Sequence, residues 1–109
     1  MWPFPKWKSV RPDDSPETDA YIQAHGLSAC EAAAYRWRVA AERDGLTVAY
    51  ISYVDTEDKY RRGHIACMVC YPNGGYLVVE PQTGRRIRNR WLDRYDGVTF
   101  HAKIRGSAE

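Results

Sequence analysis

Nowhere does this chain run to the roughly 20 consecutive apolar residues that a membrane-crossing helix needs. Its opening stretch, Met1-Trp2-Pro3-Phe4-Pro5-Lys6, lacks the apolar segment of a secretory leader, so the sequence predicts no membrane association. Cysteine is scarce and odd in number, three in 109 residues, which argues against a disulfide framework and for a reducing compartment, the cytoplasm. Internal repeats are absent. So are the His-x-Glu and Pro-Cys-x-x-Cys patterns of zinc deaminases, which leaves base deamination without support. Strong charge of either sign is missing as well: the net charge is +2.

What the chain does have is the material for one folded core. At 109 residues, 44% hydrophobic and 28% charged, with eight Tyr and four Trp, it fits a single domain able to bury large rings. The small net charge is unevenly placed, because residues 85–109 carry seven Arg or Lys against three acids. The run Arg85-Arg86-Ile87-Arg88-Asn89-Arg90 is a surface for an acidic partner more than for nucleic acid, and a solvated basic face is its plainest explanation.

Residues 1–14, with three Pro and two Trp and no periodicity, read as an extended N-terminal arm, and 15–109 as the domain. Ser15-Pro16-Glu17 is a helix start that runs to Gly26. A second helix opens at Ser28, with Glu31 completing a capping box, and ends at Asp44-Gly45. Cys30, Ala34, Trp37 and Ala41 share its apolar face. Strands are expected over 46–54, 65–71, 76–80 and 98–104, with a charged loop from Asp55 to Gly63 and a turn at Gln82-Thr83-Gly84. The fold class is therefore α+β, a helix packed on an antiparallel sheet of about four strands.

Three residues carry the candidate chemistry. A thiol in the first turn of a helix, Cys30, meets unpaired N–H groups and the positive end of the helix dipole, and both favour a thiolate. His64, opening a strand, could take its proton, and Glu80, ending the next strand, could orient the imidazole. Cys30-Glu31-Ala32-Ala33-Ala34, the Asp44 to Val48 step into a strand, Gly63-His64, and Tyr76-Leu77-Val78-Val79-Glu80-Pro81-Gln82-Thr83-Gly84 together resemble the transglutaminase-like cysteine peptidases over residues 28–84. That resemblance implies a papain-like core with Cys30 as nucleophile, His64 as base and then acid, and Glu80 as its orienting acid. It also implies peptidase or acyltransferase chemistry through an acyl-enzyme on a peptide or protein, with no cofactor and no metal. The family usually has Asp-Pro where this chain has Glu80-Pro81. Gln23 is the nearest side chain upstream for an oxyanion. In so short a chain, substrate choice falls to the arm, a partner or a second subunit, as in a homo-oligomer.

Other readings stand beside this one. His101, on the last strand, replaces His64 as base if that strand wraps against the helix start. His64, Cys67 and Cys70 have the spacing H-x-x-C-x-x-C, which with Cys30 offers four zinc ligands, but residues three apart in a strand point to opposite faces. A binding module of the same fold, with an idle thiol and a basic C-terminal surface, is the alternative function. Register gives a check on the triad. A two- or four-residue hairpin loop puts Glu80 opposite Cys67, away from His64. A three-residue loop, Asn73 to Gly75, or a bulge puts Glu80 on the face of His64.

Overall fold

The computed structural model describes residues 11–72, 74–87 and 95–101. It is an α+β fold, with two helices, α1 (Pro16–Ala24) and α2 (Ala29–Arg43), and five strands among those residues: β1 (Thr47–Asp55), β2 (Gly63–Cys70), β3 (Tyr76–Glu80), β4 (Arg85–Ile87) and β5 (Tyr95–His101). The strands form one sheet in the order β4-β3-β2-β1-β5, each pair antiparallel. Strand β4 was not expected from the sequence, because three residues with two arginines carry no strand pattern. The last strand begins at Tyr95 rather than Val98, and the expected extension over 102–104 lies outside the described residues, as do the first ten residues of the arm.

Helix α2 forms as its caps dictate. Ser28 Oγ accepts from the Glu31 N–H (3.3 Å) and Glu31 Oε1 accepts from the Ser28 N–H (2.9 Å), so the capping box is complete. Its inner face, Ala34, Trp37, Ala40 and Ala41, packs on Val48, Tyr50, Cys67, Val69, Tyr71, Leu77 and Val79. Apart from Tyr71, which follows β2, these are the alternate positions of β1, β2 and β3 that share one side of the sheet. The other side holds its own cluster, Ile51, Tyr53, Ala66 and Val78, with Met68, Ile87, Tyr95 and Val98 against it. Trp37 adds a specific tie: its Nε1 donates to the Pro81 carbonyl at 2.6 Å, fixing α2 to the turn after β3.

Asp13 ties the entry of α1 to the far end of α2. Its carboxylate accepts from the hydroxyls of Thr18 and Ser15 and from Arg43 Nη2 (2.7 Å), while the Arg36 guanidinium donates to its backbone carbonyl at 3.0 Å. The Thr18 and Ser15 hydroxyls, and then Arg43, hold the Asp13 carboxyl well below the usual carboxylate range. A carboxyl depressed in the folded state stabilises the fold above its unfolded value, about 4, and loses that contribution as pH falls from there toward the folded value. Asp13→Asn is therefore expected to lower the thermal midpoint at neutral pH, with the gap from the wild type narrowing below about pH 4. Melting curves at pH 7 and pH 3 check this; a gap that does not narrow would contradict it.

The β2–β3 hairpin settles the register. Cys67 pairs with Val79 and Cys70 with Tyr76, so Glu80 falls opposite Ala66. The odd loop expected for that register is present, but it spans 72–74: the Tyr71 N–H donates to the Gly75 carbonyl (2.8 Å) and the Gly74 N–H to the Tyr71 carbonyl (3.0 Å). Gly74 closes it at φ 90°, a left-handed position natural to glycine.

Candidate active site

Cys30 lies in the first turn of α2, half-buried, with its Sγ 3.9 Å from Ser28 Oγ. Once Ser28 Oγ has taken the Glu31 N–H, the N–H groups of Ala29 and Cys30 are the first-turn donors without an intrahelical acceptor. Gln23, the sequence candidate for an oxyanion donor, is exposed on α1 and does not line the cavity at Cys30. That cavity is about 550 Å³ and is bounded by the start of α2, the ends of β1 and β2, and β5. Cys30, His64 and His101 all line it.

The two histidines belong to opposite faces of the sheet. Cys67 faces α2, its Sγ donating to the Ala34 carbonyl at 3.7 Å, so His64, three residues earlier on β2, points to the other side. There His64 stacks on Tyr53 with ring centroids 5.6 Å apart, and its Nε2 pairs with Asp58 Oδ2 at 2.9 Å. Asp58 is held in place by the Tyr60 N–H (2.9 Å) and Arg62 Nε (3.2 Å). His64 first, and then the Tyr60 N–H, keep its carboxyl well below the ordinary range. The carboxylate partner of His64 is therefore Asp58 from the β1–β2 loop, not Glu80.

Glu80 shares the face of His64, as the three-residue loop implies, but its oxygens are committed elsewhere. Oε1 accepts from the Gln82 N–H (3.1 Å), and Oε2 from the Thr83 N–H (2.8 Å) and hydroxyl (2.7 Å). The acid caps its own turn. Cys30, His64 and Glu80 are thus not joined by hydrogen bonds, and the expected triad is not assembled on one face.

His101 stands on the face of Cys30. It pairs with Tyr50, a member of the α2-facing core, and its Nε2 is hydrogen-bonded to Ser52 Oγ at 2.8 Å. The cause is a bulge in β5. Val54 pairs with Asp96 but Ser52 with Thr99, so two β5 residues, Gly97 and Val98, oppose Tyr53 alone. Gly97, at φ 60°, supplies the left-handed residue that such a bulge takes. Without the extra residue His101 would fall opposite Ala49, on the face away from α2. Asp96-Gly97, followed by polar Thr99 and His101 alternating with apolar Val98 and Phe100, is the signal in the sequence for this arrangement.

The zinc spacing is divided by the same alternation. Cys67 faces α2 while His64 and Cys70 face the other way, and no group of three metal-binding side chains occurs among the described residues. Burial pushes the Cys67 thiol up to about 12, which makes it inert beside Cys30. Of the basic run, Arg85 and Arg86 are exposed on β4; residues 88–90 lie outside the described residues. No helix among the described residues is long and apolar enough to cross a membrane. No protein-family model matches the chain, and no curated protein or solved structure does either.

Proposed function

We propose that this chain is a cysteine-nucleophile hydrolase or acyltransferase, with a papain-like arrangement of helix and sheet, in which His101 takes the role the sequence resemblance gave to His64. One observation carries the reading: a single cavity is lined by a helix-start thiol and, on the α2-facing side of the sheet, by an imidazole whose Nε2 is already engaged by Ser52. The engaged nitrogen leaves Nδ1 of His101 for the thiol proton.

The reaction follows from those groups. Cys30 Sγ attacks the carbonyl carbon of an amide or thioester in a peptide or protein, and its proton passes to His101. The N–H groups of Ala29 and Cys30 receive the developing oxyanion. Collapse breaks the bond to the leaving amine or thiol, which takes the proton from His101, and leaves a thioester on Cys30. Water or an amine then attacks that thioester, giving its proton to His101, and the thiol is restored.

Acetyl transfer from p-nitrophenyl acetate tests the proposal. Intact-mass analysis is expected to show one acetyl group, on Cys30, that disappears with time, and Cys30→Ala is expected to abolish it. Equal slow labelling of Cys30 and Cys70 would overturn the proposal and favour a binding module with an idle thiol.

A further inference from the structure

We infer that the acyl group entering the Cys30 cavity is neutral and apolar. The inference rests on the proposed role of Cys30, and its test separates the two. Ser28, Cys30, Ser52 and His101 contribute polar atoms to this cavity, while Tyr50, Val54 and Ile65 supply apolar wall. Register puts that wall on one face: Ser52 pairs with Ile65, Ser52 and Val54 are two apart on β1, and Tyr50 belongs to the α2-facing core.

Basic charge is what the described lining of the cavity lacks. Neither Lys nor Arg occurs in its described lining, and its one carboxylate, Glu31, is engaged by the Ser28 N–H. An anionic acyl group drawn in beside Val54 and Ile65 would shed water and meet no Lys or Arg of the described lining, which is costly. The cavity on the opposite side, about 480 Å³, shows the contrast, with Asp55, Glu80, Arg85 and Arg86 around it. The two share Tyr53 and His64. A volume near 550 Å³ is in the range of small-molecule sites, so the wall has room for several methylenes beyond the carbonyl.

The test has two arms. In the first, acylation of wild-type Cys30 is timed with p-nitrophenyl acetate, butanoate, hexanoate and the half-ester of succinate, each normalised to its rate with free cysteine. The rate is expected to rise about three- to fourfold per added methylene, and the succinate ester is expected to react roughly tenfold more slowly than butanoate or worse. In the second, hexanamide and succinamate, which do not acylate, are titrated into Cys30→Ala protein while the Ile65 methyl signals are followed by NMR. Hexanamide is expected to shift them at the lower concentration.

Acylation of Cys30 with no dependence on chain length, together with no preference for hexanamide, would overturn this inference and leave the nucleophile intact. Preferential binding of hexanamide without any acylation would sustain the apolar site and remove the catalytic role. Absence of both would overturn both.

Discussion

His101→Gln is expected to slow acylation of Cys30 by roughly 10²- to 10⁴-fold, the usual worth of a positioned general base, while His64→Gln leaves the rate close to that of the wild type. The asymmetry comes from the sheet. His101 pairs with Tyr50 under α2, whereas His64, although it also lines the cavity, belongs to the other face of the sheet, stacked on Tyr53 and held by Asp58. Both substitutions are at incompletely buried positions, so the folded fraction, read by circular dichroism, should hold for each. Rates measured side by side with p-nitrophenyl acetate check this. A large loss with His64→Gln and none with His101→Gln would return the base to β2.

The largest expected effect on stability is at Trp37. Trp37→Ala should cost about 3–5 kcal/mol, since it empties the centre of the face that α2 presents to the sheet. Trp37→Phe keeps most of the ring but removes the donor to Pro81, and a buried carbonyl left without its partner costs about 1–3 kcal/mol. Urea unfolding of the three proteins gives both values. A Trp37→Phe protein as stable as the wild type would show that the 2.6 Å bond to the Pro81 carbonyl contributes nothing net. The same substitution also tests whether α2 keeps Cys30 in place, because Trp37 links that helix to the turn capped by Glu80.

Much of the fold is legible in the residues because local rules and tertiary packing agree there. Ser28 and Glu31 mark the start of α2, and both capping bonds form. Cys30, Ala34, Trp37 and Ala41 have the spacing of one face, of which Ala34, Trp37 and Ala41 are buried in the core. The loop at 72–74 has the odd length that puts Glu80 with His64, though it lies one residue earlier than expected.

The side of the sheet that α2 covers is not legible in the same way. Strands β1 to β3 are apolar on both faces, with Val48 and Tyr50 on one and Ile51 and Tyr53 on the other, so alternation identifies which residues share a face without saying which face meets the helix. That ambiguity leaves a triad of Cys30, His64 and Glu80 compatible with the sequence alone. Two features of the site have little local signature. Asp58 reaches His64 only through the conformation of the 56–62 loop, in which Arg61 takes φ 49°. The phase of His101 depends on one extra residue at Gly97, and a bulge of that kind shows in the sequence only as a glycine next to an acid.

Histidine-ring NMR of the protein before and after alkylation of Cys30 by iodoacetamide tests the pairing most directly. The arrangement predicts that the His101 ring signals move when the thiol is capped, while those of His25 and His64 hold their positions. Movement of His64 with His101 unchanged would contradict it.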